Sequence, residues 1–234
     1  MSLPVSREVI VLSNAFQLVP VVEFEAAAYK REGRDSPLGP PLELREDWQR
    51  YWEQSLADSG IHGLVPVEPA SMLVPVSQLT EPHVLRALLR LALNPYGEED
   101  AQTRDVDPNE LIALSGGLAL LDGGRVLLLP GCCADLENLN SWEAAARQQC
   151  DTFWMGHPEV SAHWESPWLV LRDAPSSSGE SPHEWRLEPL SLQQALREAR
   201  TAQEEFARRL EPFVAERCPT ESVQSIVALL TGLS

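Results

Sequence analysis

The chain has 234 residues, 44% apolar and 23% charged, a composition that builds a folded domain with a substantial core. Asp and Glu number 35 against 18 Lys and Arg, a net charge of −17, which counts against nucleic-acid binding, repels anionic lipid, and serves either solubility or the steering of a basic partner. Four cysteines, two of them adjacent, are too few for a disulfide framework and read as free thiols of a reducing compartment.

The apolar start is interrupted by Arg7 and Glu8 and closed by Glu23 and Glu25, so no secretory signal is expected. No stretch approaches the roughly 20 apolar residues of a membrane span. The expected location is the cytoplasm, or export by a route that leaves no such signal.

Residues 8–12 and 16–24 are rich in Val and Ile and predict two strands, with Pro20 placing the second at an edge or bulge. Glycines and prolines over 33–41 predict a loop. Leu44, Trp48, Trp52 and Leu56, with Tyr51 beside them, give an apolar helix face that Gly60 ends. Prolines 66, 69 and 75 limit residues 64–76 to short edge strands or extended chain. Thr80 is the expected N-cap of a buried helix over Val84–Ala92, with Pro82 in its first turn and Asn94-Pro95 as its stop.

Residues 98–107 are acidic and predict an exposed loop, followed by a short helix at Asp107-Pro108-Glu110. Asp122-Gly123-Gly124 between two apolar runs predicts a β-hairpin. Asn140 with Glu143 predicts a capped helix to about Cys150. Strands are expected at 168–172 and 184–188 around a Ser/Gly/Pro loop at 174–182. Ser191 with Gln194 opens the longest helix, amphipathic through Leu192, Leu196, Ala199, Phe206 and Leu210, until Pro212 kinks or breaks it. A last helix, capped at Thr220, runs to Gly232.

This mixture lacks a steady βαβ alternation, so the expected class is α+β: a mixed, largely antiparallel sheet with packed helices and a long C-terminal amphipathic helix. No internal repeat or clear linker divides it, and a single domain over 1–234 is expected, with a soft division near 100–110.

Candidate chemistry is sparse. Phosphate-binding, zinc-protease and hydrolase motifs are absent, no catalytic residues are assigned, and nothing calls for a cofactor. Cys132 and Cys133 follow a strand, with Asp135 and His157 the nearest helpers, so a nucleophile is one reading. Buried structural thiols are the other. Cys132, Cys133, Cys150, His157 and His163 fit the spacing of structural zinc poorly, so no metal site is assigned. Trp142, Trp154, Trp164, Trp168 and Trp185 crowd one region and serve either as core or as an aromatic binding surface. Glu98, Glu99, Asp100, Asp105 and Asp107 form either a solvated loop or a docking site for Lys and Arg.

Pro130-Gly131-Cys132-Cys133, the acid and Leu136 after it, Trp142, and Trp154-x-Gly156-His157-Pro158 resemble a group of uncharacterised bacterial cytosolic proteins. The resemblance covers residues 116–211. Small acidic proteins of this kind resemble immunity proteins of bacterial toxin systems. The resemblance, the charge and the missing motifs together imply a non-enzymatic module that binds a basic protein, an immunity-type inhibitor of a bacterial toxin. Its partner-binding residues would be Glu98, Glu99, Asp100, Asp105, Asp107, Trp154 and Trp164, with no nucleic-acid or membrane partner. A cysteine-dependent enzyme and a scaffold subunit are the alternatives.

Overall fold

The computed structural model describes residues 8–12, 16–41, 43–93, 111–173 and 183–233. In chain order the first elements are β1 (Glu8–Leu12), β2 (Phe16–Glu23), α1 (Ala26–Tyr29), α2 (Arg45–Asp58), β3 (Leu73–Pro75) and α3 (Pro82–Ala92). Then come β4 (Gly116–Asp122), β5 (Arg125–Leu128), α4 (Asn138–Ala146), β6 (Val160–Glu165), β7 (Trp168–Asp173), β8 (His183–Leu187), α5 (Pro189–Ala215) and α6 (Val223–Leu230). The strands form two sheets, ordered β1-β8-β7-β6 and β3-β2-β4-β5, and the fold is α+β. Among the strand pairs with described registers, only β1 with β8 is parallel. No helix among the described residues is long and apolar enough to cross a membrane.

The chain divides into two compact units, one built from 1–20 with 115–201 and the other from 21–114 with 202–234. In the first, β7 is interior to its sheet, and Leu169, Val170 and Leu171 are fully buried. Leu136, Leu139 and Trp142 of the α4 region and Leu192 of α5 complete the apolar interior. One sheet face carries a closed charge ring, in which Arg172 and Arg186 each bridge Glu165 and Glu184 at 2.7–2.9 Å. Burial alone pushes the Glu184 carboxyl up, and the two guanidiniums pull it back below its usual range.

In the second unit, α2 buries Tyr51, Trp52 and Leu56, and Trp52 Nε1 donates to the Phe24 carbonyl at 2.7 Å. α3 buries Val84, Leu85, Leu88 and Leu89. Arg209 of α5 donates to the Val76 carbonyl at 2.9 Å, and Gln203 donates to Thr231 O at 2.7 Å.

The hairpin forms where Asp122-Gly123-Gly124 predicts it. Gly123 and Gly124 have φ of +55° and +83°, the mirror-image turn conformation that suits a right-twisted strand pair. Other local expectations are overturned. Pro20 lies in β2, which is interior to its sheet rather than at an edge; pairing with β3 begins only at Val21, so the missing N–H interrupts no bond on that side. Thr80 is not the cap of α3: Glu81 occupies that position and Pro82 is the first helical residue. α4 starts at Asn138 rather than after Asn140, because Asp135 accepts the Glu137 and Asn138 amides upstream.

α5 starts at Pro189, since the Glu188 carboxylate accepts the Ser191 amide at 2.7 Å and displaces Ser191 as cap. The helix runs through Pro212 to Ala215; so near the end, a proline costs few backbone bonds. Thr220 opens a 3₁₀ turn ahead of α6. β6 replaces the unassigned Trp-rich stretch and pairs with β7 across a Ser166-Pro167 turn. The expected acidic loop and the helix at 107–110, like the loop at 174–182, lie outside the described residues.

Candidate functional site

The motif residues Pro130-Gly131-Cys132-Cys133 and Trp154-x-Gly156-His157-Pro158, far apart in sequence, form one corner of the first unit. Gly131 N donates to Met155 O at 2.7 Å, while Cys132 and His157 exchange backbone bonds of 3.1 and 2.9 Å. The two segments approach so closely that only glycine fits at both crossing points. A Cβ on Gly131 would lie 2.2 Å from the His157 carbonyl oxygen, and one on Gly156 would lie 2.5 Å from that of Cys132.

Asn138, the first residue of α4, ties this corner to the core. Its Oδ1 accepts from Leu118 N and Trp142 Nε1, both at 3.1 Å, and its Nδ2 donates to the Trp154 carbonyl. Asn138 is 3% exposed, so these three partners satisfy a buried amide and hold the strand, the helix and the loop in register. Gly117 passes beside it, where a Cβ would lie 3.0 Å from Pro130 and 3.3 Å from Asn138 Oδ1.

On the outside of this corner sits Trp154. All seven tryptophans fall among the described residues, and Trp154 alone is exposed, at 37%. Trp52, Trp142 and Trp185 are buried, and Trp48, Trp164 and Trp168 are half-buried. The Trp154 ring meets His157 edge-on with centroids 4.9 Å apart, and its Nε1 points to the Cys133 carbonyl at 3.4 Å. Trp164, in β6, spends its Nε1 on Ala145 O at 2.7 Å. The structure thus brings Trp154 together with Cys132, Cys133 and His157, and turns the Trp164 N–H inward. Glu98, Glu99, Asp100, Asp105 and Asp107 lie outside the described residues.

The expectation of buried structural thiols fails for the pair. Cys132 and Cys133 are both exposed, Cys150 is half-buried, and Cys218 is buried. The turn is pinned by backbone bonds to another loop, which leaves the two side chains outside. The hydrogen bond to the Cys132 sulfur holds the Cys133 thiol above the usual thiol range, the opposite of what a nucleophile needs. Asp135 gives a carboxylate oxygen to the Glu137 amide, and burial pushes its pKa up. Among the described residues no three His, Cys, Asp or Glu side chains gather as a metal site, so the candidate zinc set is not assembled.

Sequence reasoning missed Asn138 and the charge ring. A buried polar residue has no periodicity to announce it, and two arginines and two glutamates on three strands meet only once the pairing is known. No family model, curated protein or solved structure matches the chain.

Proposed function

We propose that this chain is a non-enzymatic, acidic protein-binding module of the cytoplasm, an immunity-type inhibitor of a basic partner such as a bacterial toxin. The observation that supports it best is Trp154: one exposed indole out of seven, on a corner whose backbone is fixed from both sides. A large aromatic side chain that loses little freedom on binding is the usual anchor of a protein interface. The net charge of −17 supplies attraction toward a basic surface and adds encounter rate rather than holding strength. In this reading the carboxylates of Glu98, Glu99, Asp100, Asp105 and Asp107 steer the partner, and Trp154 holds it. Trp164 is the second aromatic residue of this reading, half-buried and with its N–H bonded to the Ala145 carbonyl of α4.

The test is affinity capture from the source organism's lysate with the wild-type chain and with Trp154→Ala. One basic protein captured in stoichiometric amount is expected, with binding weakened by about 30-fold or more in the variant, the loss of a hot-spot residue. Equal capture by both chains at matched stability would remove Trp154 from the account.

A further inference from the structure

The exposed cysteine pair lies on a turn that backbone bonds to the His157 loop hold in place, and the proposed partner contact does not use its thiols. Cys133 has φ +66°, in the left-handed region. A residue with a Cβ pays roughly 1 kcal/mol or more there, and glycine would pay nothing. Burial cannot offset that cost, because Cys133 is exposed. Ala70, Met72 and Gln148 share this left-handed φ, so what sets Cys133 apart is its exposed thiol directly beside a second exposed thiol.

The geometry distinguishes two uses of a dithiol. Neighbouring Cα atoms across a trans peptide stand about 3.8 Å apart, inside the roughly 4.4 Å minimum of ordinary disulfides. A bond between Cys132 and Cys133 would therefore be strained and easily reduced. A bridging atom removes that strain, since two sulfur bonds of about 2.3 Å at a bent angle leave the sulfurs about 3.5 Å apart. Both thiols are exposed, on a turn clamped to His157 by two backbone bonds.

We propose that Cys132 and Cys133 form a two-thiol chelating site for a thiophilic metalloid with two exchangeable positions, of the trivalent arsenical class. Such species are neutral near pH 7, so the chain's net charge of −17 does not repel them as it repels oxyanions. The reaction is a ligand exchange with no change in oxidation state. The hydrated arsenical R–As(OH)2 loses both As–O bonds and gains two As–S bonds. Each hydroxide leaves as water with one thiol proton. Trp154, tied to the Cys133 carbonyl, sits where it reports the event.

The probe is phenylarsine oxide, added to the full chain under non-denaturing conditions and followed by intact mass, thiol counting and tryptophan emission. One adduct per chain is expected, with two thiols protected, emission quenched, and resistance to excess glutathione but reversal by a small dithiol. Cys132→Ser and Cys133→Ser should each weaken binding by about 100-fold, the loss of a chelate. Cys133→Gly, which suits the backbone angle and guards against misfolding, should do the same. Cys150→Ser should bind as wild type. No adduct at one equivalent, an adduct that Cys150→Ser abolishes, or unchanged affinity in the Cys133 variants would overturn the proposal.

Discussion

At the scale of single residues, Asn138 carries more of this structure than any titratable group. Its amide answers a strand N–H, an indole N–H and a loop carbonyl, all in a buried setting. Asn138→Ala would leave all three without a partner, and each buried unsatisfied group costs about 1–3 kcal/mol. The variant should therefore lose about 3 kcal/mol or more in chemical denaturation, with a changed Trp154 emission because its loop is released. A loss below about 1 kcal/mol, within the range of an ordinary surface change, would show that the network is not cooperative. The sequence favours Asn140 as the polar residue of interest, because capping has a spacing rule and burial of an amide has none. Only the folded chain, with Gly117 pressed beside Asn138, separates the two asparagines.

At the scale of elements, the hairpin and the long helix were legible, because a Gly-Gly turn and a 3.6-residue apolar period are local signals. The starts of α3, α4 and α5 were not, since Glu81, Glu137 and Glu188 took the positions expected of Thr80, Asn140 and Ser191. β6 was hidden because its side chains are mostly half-buried and show little alternation. The loop after α1 and the end of α2 show a tie that sequence gives no hint of. Arg34 grips Asp58 with Nε–Oδ2 and Nη2–Oδ1 distances of 2.6 and 2.8 Å and also reaches Gln54, while the Arg31 amide donates to the same carboxylate. These bonds, the Arg34 guanidinium first among them, pull the Asp58 pKa down from 3.8 to about 2. A carboxylate with a depressed folded pKa stabilises fully above its unfolded value and loses that contribution as pH falls through the folded one. Stability should thus decline between about pH 4 and pH 2, more steeply for the wild type than for Asp58→Asn. Parallel acid-unfolding curves for the two chains would contradict this.

At the scale of the whole molecule, each compact unit draws on two separate stretches of chain, with crossings after Pro20, Leu114 and Thr201. The first crossing falls within β2 and the last within α5, so both lie inside regular elements rather than in a linker. That is why composition alone suggested one domain with a soft division near 100–110. The candidate site was half legible: the motif named its residues, but the contact of Gly131 with His157 and the exposure of Trp154 depend on loops 25 residues apart meeting backbone to backbone. What composition states plainly is the charge, which carries the steering part of the proposed function. The most direct test is the association rate of the captured partner, measured by stopped flow between about 50 and 500 mM salt, across which the screening length shrinks several-fold. A steep fall in association with little change in dissociation is expected. An association rate that ignores salt, or a captured partner that is itself acidic, would contradict the proposed steering.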